Sequence, residues 1–133
     1  MFTRKAIAVL ALTALSGAAA AEWQLIGSNG KEFSLFIDPV VATRNGPYVS
    51  IPQMVTYGYP QVAYPEGQRF FSEKSQVDFD CAGKRMRVLA TDQYSGSFTD
   101  GRVVNRKAET RAWVPVQSRT NMEVAWMRAC NRL

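Results

Sequence analysis

The residues of this chain that could do chemistry are two cysteines, Cys81 and Cys130, and two closely spaced carboxylates, Asp78 and Asp80. Two cysteines can form a disulfide, bind a metal as thiolates or supply a nucleophile. Two carboxylates on one face of a strand could act as a general acid and a general base. The chain contains no histidine, which excludes Ser-His-Asp and Cys-His arrangements and histidine metal sites.

The two carboxylates are better explained as partners of arginines in a β-hairpin. A two-residue turn at Ala82-Gly83, with Gly83 at positive φ, fixes the register of the flanking strands. Asp80 then lies opposite Arg85, and Asp78 lies opposite Arg87. We expect these ion pairs to face solvent, so that they contribute little to stability and leave no carboxylate for catalysis.

The other face of the same hairpin is apolar. Phe79 lies opposite Met86, and Val77 lies opposite Val88. A shift of one residue would set carboxylates against hydrophobic side chains, so the pattern favours this register. Cys81 shares the parity of the apolar residues, and we expect it to point to the buried side.

The N-terminus has the organisation of a secretory signal peptide. Arg4 and Lys5 precede an apolar run and the small residues 16–21, with cleavage predicted after Ala20 or Ala21. A membrane anchor is the alternative, but the run is too short to cross a bilayer. The sequence therefore predicts a signal peptide at residues 1–21 and a single domain at residues 22–133.

Export would place Cys81 and Cys130 in an oxidising compartment, where two cysteines in a small domain usually form a disulfide. Two free thiols are the alternative. Pairing removes both the thiol nucleophile and the thiolate metal site. We therefore predict a protein that is not an enzyme, with no catalytic residue, no metal site and no cofactor.

The middle of the mature chain is predicted to form antiparallel strands. Pro52 interrupts a long strand that ends near Tyr57, and proline favours a sheet edge or a bulge. Residues 58–68 are rich in proline and glycine and are predicted to be a loop. Tyr57, Tyr59 and Tyr64 are its candidate partner-binding residues. They could equally fold back as a lid over the end of the sheet.

The C-terminal segment is predicted to be an amphipathic helix. Thr120 and Glu123 fit a capping box at its start. One stripe is apolar and ends at the second cysteine; it consists of Met122, Ala125, Trp126, Ala129 and Cys130. Met122 and Trp126 form the predicted packing face against the sheet, and a hydrophobic ligand box is the alternative.

The net charge of +5 falls to +3 when the charges of Arg4 and Lys5 are subtracted. The arginines are scattered through the sequence instead of forming a basic patch. This distribution argues against nucleic-acid binding.

A series of short motifs runs along nearly the whole mature chain: a first strand at Trp23, Ile37-Asp38-Pro39, Phe71-Ser72-Glu73-Lys74-Ser75 leading to Phe79-Asp80-Cys81, Tyr94-Ser95-Gly96, and Trp113-Val114-Pro115-Val116 before the helix. In this order and spacing the motifs resemble the bacterial surface-adhesin protein E family. The resemblance implies an α+β fold, in which an antiparallel sheet of about six strands carries a C-terminal helix disulfide-tethered to its concave face.

The resemblance also implies a non-enzymatic, adhesin-like binding module whose partner is a host extracellular-matrix or serum protein, with a homodimer as a candidate assembly. The chain has no cysteine near the predicted cleavage site, so it departs from the lipoprotein form of the family. A periplasmic, extracellular or outer-membrane-associated location without a lipid anchor follows. The alternative is a periplasmic accessory or structural protein that meets an envelope partner or itself, and a small-ligand carrier is a third hypothesis.

Overall fold

The computed structural model describes residues 22–131; the predicted signal peptide at residues 1–21 lies outside the described residues. The described chain forms β1 (Gln24–Asn29), β2 (Phe33–Ile37), β3 (Thr43–Asn45), β4 (Tyr48–Val62), β5 (Arg69–Asp80), β6 (Arg85–Tyr94), β7 (Val103–Lys107), β8 (Val114–Pro115) and α1 (Asn121–Ala129). The antiparallel sheet has the order β1-β2-β4-β5-β6-β7, while β3 adds to β4 and β8 adds to β6. The predicted α+β class is confirmed, with two short strands beyond the expected six.

The central hairpin has the predicted register. Asp80 pairs with Arg85, Asp78 with Arg87, and Phe79 with Met86. The turn itself was predicted wrongly, because residues 81–84 form a four-residue connection in which Lys84, at φ 49°, takes the left-handed conformation. Gly83 is needed for space instead, since a Cβ there would overlap the carboxylate of Asp80.

The carboxylates of these ion pairs are buried, contrary to expectation, whereas the side chains of Arg85 and Arg87 are 42% and 30% exposed. Asp78 and Asp80 are each only 6% exposed. The Trp113 ring covers the guanidinium groups of Arg85 and Arg87, at 4.7 Å and 4.4 Å from its centroid. Strand β8 carries Trp113 to this face by pairing with the start of β6. The ring limits the access of water to the arginine side of both ion pairs.

Pro52 lies in the middle of the sheet, and the prediction of an edge or a bulge at this residue is wrong. Pro52 pairs in regular register with Gln76 on β5. On the other flank of β4, β2 pairs with residues 53–57 and β3 with residues 48–50. Pro52 therefore faces the gap between two short strands, where its carbonyl accepts a 3.1 Å bond from the Asp38 N–H and its missing N–H disrupts no ladder.

Part of the predicted loop at residues 58–68 is strand, while residues 63–68 lie between strands. Strand β4 continues to Val62, because an irregularity between Thr56 and Gln61 absorbs the residues that cannot pair. Strand β7 runs to Lys107, although residues 105–111 are polar, and the cross-strand ion pair of Arg106 with Asp92 accompanies this pairing.

The helix packs against one face of the sheet. Trp126 is 7% exposed, and its Nε1–H donates a 2.9 Å hydrogen bond to the carbonyl of Asp80. The buried sheet residues of this core are Ile37, Val49, Ile51, Val77, Phe79 and Met86. Cys81 and Cys130 form the predicted disulfide, which joins the end of α1 to the central hairpin across 49 residues of sequence.

Candidate functional site

An open groove of about 480 Å³ lies where α1 begins and its cover of the sheet ends. We call it the helix-end groove. Its walls come from β2, β4 and the first turn of α1, and its lining consists of Phe33, Leu35, Gln53, Val55, Tyr57, Thr120, Asn121 and Met122. Most of these side chains are apolar, and none is an ionised acid or base at neutral pH. The groove therefore suits an uncharged, largely apolar group.

Strand register and helix capping position these side chains. Leu35 pairs with Val55, and Phe33 pairs with Tyr57, so the four side chains line one face. At the helix start, the Thr120 hydroxyl accepts a 3.2 Å hydrogen bond from the Glu123 N–H. The predicted capping box is completed differently from expectation, because the Glu123 carboxylate accepts the N–H of Arg119 instead of that of Thr120.

Gln53 lies beneath the helix-end groove and is 8% exposed. Its register partners on this face are Ile37 on β2 and Ser75 on β5. The side-chain oxygen, Oε1, is shielded from water and accepts no hydrogen bond within residues 22–131. A buried acceptor without a donor is unfavourable and rare, so this atom needs a physical explanation.

A row of hydrogen-bonded polar side chains crosses the sheet beside the groove. The Tyr57 hydroxyl donates to Glu73 Oε1 at 2.6 Å, and Gln93 Nε2 donates to Glu73 Oε2 at 3.1 Å. Asn105 Nδ2 continues the row with a 3.1 Å bond to Gln93 Oε1. Burial, with a smaller effect of the neighbouring Glu73, raises the pKa of Tyr57 above its ordinary value. Tyr57 therefore stays a neutral donor, and both oxygens of Glu73 are engaged.

A second surface lies at the far end of the β4–β5 hairpin. Tyr59, Val62 and Tyr64 are 60%, 59% and 81% exposed. We call these three residues the aromatic tip. A cleft of about 670 Å³ adjoins the tip and is lined by Tyr64, Pro65 and residues 105–112. The aromatic tip is therefore an exposed apolar projection beside a polar cleft.

The residues that were predicted from sequence as site or packing residues lie in three places: the aromatic tip, the helix-end groove and the core. Tyr59 and Tyr64 lie in the exposed tip, whereas Tyr57 is half-buried in the helix-end groove and bonded to Glu73. Met122 lines the same groove, and Trp126 packs in the core. Tyr57 and Met122, which were assigned to different roles, thus meet at one site.

Gln53 was missed as a site residue, although its position carried a signal. It shares strand parity with the apolar residues Ile51 and Val55. The alternation along the strand therefore predicts that the polar side chain of Gln53 lies on a buried face. The contribution of Phe33 could not be found this way, because it depends on the pairing of β2 with β4.

The carboxylate of Asp80, on the central hairpin, is engaged in structural contacts. Asp80 Oδ1 accepts the Gly83 N–H at 2.9 Å, and Oδ2 accepts Arg85 Nε and Nη2 at 3.0 and 2.9 Å. The Gly83 hydrogen bond, followed by Arg85, lowers the pKa of Asp80. Within residues 22–131, no three acidic or cysteine side chains come together as a metal site.

No helix within residues 22–131 has both the length and the apolar character that a bilayer crossing requires. A family model described as Surface-adhesin protein E matches residues 23–131. A search of curated protein sequences finds no match.

Solved structures of Haemophilus influenzae protein E share the fold. Crystal form II is 18% identical over 74% of this chain and 80% of its own, with a TM-score of 0.59. Protein E from the non-typeable bacterium is 16% identical over 86% of this chain and 79% of its own, with a TM-score of 0.61.

Proposed function

Because this chain belongs to the surface-adhesin protein E family, we propose that it is an exported, non-enzymatic binding module whose partner is a host extracellular-matrix or serum protein. In this proposal the chain loses residues 1–21 on export and remains in the periplasm or at the outer surface without a lipid anchor. The aromatic tip of Tyr59, Val62 and Tyr64 contacts the partner.

The exposure of the aromatic tip is the observation that carries this proposal. Three large apolar side chains within six residues are more than half exposed, and Tyr64 is 81% exposed. Tyrosine is enriched among the residues that dominate binding energy, because it buries a large area and fixes few torsions. Tyr59 and Val62 lie on β4, and β4 pairs with β5 again at Gln61 and Val62, beside the tip.

The cleft beside the tip indicates the charge of the partner. Its lining includes Arg106, Lys107 and Arg111 and one acid, Glu109, which gives a local net charge of 3 − 1 = +2. Arg106 is also close to Asp92, at 3.4 Å, and is 73% exposed. A partner segment that carries acidic residues next to an apolar patch complements this surface.

The test is the binding of the purified protein to a panel of immobilised host matrix and serum proteins by surface plasmon resonance. We expect saturable binding to at least one of them, and Tyr59→Ser/Tyr64→Ser should weaken it at least tenfold. Leu25→Ser/Val40→Ser is the matched control, since it removes two exposed apolar side chains elsewhere and should change affinity less than twofold. Equal loss in both variants would contradict a role for the tip.

A second candidate function is that of a periplasmic accessory or structural protein that pairs with an envelope protein or with itself. The observation that favours it is the outer edge of β1, which has no strand beyond it among the described residues and exposes Leu25. Protease treatment of intact cells separates the two candidates. Cleavage in intact cells supports the adhesin, whereas protection until the outer membrane is opened supports the periplasmic role.

A further inference from the structure

The helix-end groove and the aromatic tip are separate surfaces with different chemistry. The tip projects from the end of the β4–β5 hairpin, whereas the groove lies between β2, β4 and the start of α1. Only the groove contains a buried polar atom that lacks a hydrogen bond within the described chain, Gln53 Oε1. A protein partner at the tip leaves this atom unexplained.

We propose that the helix-end groove binds a small uncharged amphiphile, with an apolar body between Phe33, Val55 and Met122 and one hydrogen-bond donor that reaches Gln53. The volume of about 480 Å³ is that of a small-molecule site and is too small for a helix or a folded domain. The groove binds its ligand independently of any partner at the aromatic tip.

The apolar body is inferred from the lining side chains. Phe33 and Leu35 on β2 and Val55 on β4 form one wall by direct cross-strand pairing, and Met122 on α1 forms the other. The thioether side chain of methionine adapts to ligands of irregular shape, because it has three rotatable bonds. Tyr57 closes one end, where its ring packs edge-on against Phe70 with the centroids 5.9 Å apart.

The hydrogen-bond donor of the ligand is inferred from Gln53. Its Oε1 is buried beneath the groove without a donor, and the terminal torsion of glutamine is soft enough to turn this oxygen towards a bound molecule. A ligand hydroxyl or N–H would satisfy it. The neighbouring Tyr57 hydroxyl already donates to Glu73 and is not free to donate to the ligand.

The surrounding charge excludes an anionic head group. No lysine or arginine lines the groove, and the nearest charged group in the polar row is the Glu73 carboxylate, which Tyr57 contacts at 2.6 Å. An anion would lie close to this carboxylate without a cation to balance it. An uncharged donor is therefore the complementary head group.

N-Phenyl-1-naphthylamine is a suitable probe, because it joins two aromatic groups through a single N–H and fluoresces in apolar surroundings. We expect saturable binding of one molecule per chain. 8-Anilino-1-naphthalenesulfonate has the same body with an added sulfonate and should bind at least tenfold more weakly. 1-Phenoxynaphthalene, in which an ether oxygen replaces the N–H, should compete about tenfold less well than the amine.

Two substitutions test the location and the donor. Val55→Trp should fill the groove and abolish probe binding, whereas Val62→Trp, the same change at an exposed position of the same strand, should leave it unchanged. Gln53→Leu should remove the preference for the amine over the ether. The tip variant Tyr59→Ser/Tyr64→Ser should bind the probe normally, so failure here is distinguishable from failure of the proposed adhesin function.

Circular dichroism and the melting temperature check that each variant is folded. Absence of saturable probe binding to the unmodified protein would overturn the proposal. So would binding that survives in a folded Val55→Trp variant, stronger binding of the sulfonate, or an unchanged preference in Gln53→Leu.

Discussion

Replacing Asp80 by alanine should destabilise this protein much more than replacing Asp92, although both carboxylates pair with arginines on β6 or β7. Asp80 is 6% exposed and accepts three hydrogen bonds, one from the Gly83 N–H and two from Arg85. The side chain of Asp92 is 37% exposed, and its partner Arg106 is 73% exposed at 3.4 Å. The two substitutions therefore compare a shielded ion pair with an open one.

The magnitude follows from the contacts that Asp80→Ala removes. A hydrogen bond to a charged group contributes about 1.5–3 kcal/mol, and the Gly83 N–H loses its carboxylate acceptor. The side chain of Arg85 is 42% exposed and regains water, so its two bonds add only about 1 kcal/mol. We expect a loss of about 2.5–4 kcal/mol for Asp80→Ala and less than about 1 kcal/mol for Asp92→Ala.

The difference in stability between the unmodified protein and Asp80→Ala should depend on pH. The Gly83 hydrogen bond and Arg85 lower the folded-state pKa of Asp80 below its ordinary value of about 3.9. A lowered folded-state pKa stabilises the protein above the ordinary value, and this stabilisation is lost as the pH falls through the folded-state pKa. The unmodified protein and Asp80→Ala should therefore converge in stability as the pH falls below about 4.

Urea unfolding followed by far-UV circular dichroism at pH 7 and at several acidic pH values measures these free energies. Asp92→Ala provides the matched control at each pH. A loss below about 1 kcal/mol for Asp80→Ala at pH 7, or a loss that does not shrink in acid, would refute the argument from shielding.

Two further predictions concern α1. Cys81→Ser/Cys130→Ser should lower the free energy of unfolding by up to about 4 kcal/mol under oxidising conditions, since the disulfide closes a loop across 49 residues. With reductant present, the unmodified protein should lose stability while the variant does not, and equal unfolding midpoints without reductant would contradict the tether. Thr120→Ala removes the acceptor of the Glu123 N–H and should cost about 1 kcal/mol in urea unfolding. Thr110→Ala in an exposed loop is the control, and an equal effect of both substitutions would contradict the cap.

The sequence was most informative where charge and hydrophobicity alternate. The alternation of Asp78 and Asp80 with Phe79 allowed one register of the hairpin, and the structure has that register. The apolar stripe of α1 and the two cysteines then indicated where the helix packs, which the disulfide confirms. The signal peptide stays a prediction, because residues 1–21 lie outside the described chain.

The sequence was least informative about contacts between residues that are far apart in the chain. The position of Pro52 in the sheet depends on the gap between β2 and β3, which no local pattern reveals. The aromatic cover over Arg85, the partner of Asp80, comes from Trp113, which β8 brings from more than 25 residues away in sequence. The helix-end groove likewise joins Phe33 and Met122, which only the folded sheet brings together.

Because α1 follows the sheet strands in sequence, it is synthesised after them, and this order matters for protein quality control. The ribosome completes the sheet strands before it adds Trp126 and Cys130, so a chain that stops before residue 121 leaves Ile51 and Phe79 without their cover. Such a fragment combines a bare apolar surface with an unpaired thiol, the features by which proteases and chaperones distinguish unfinished products. The synthesis of α1 therefore removes both features.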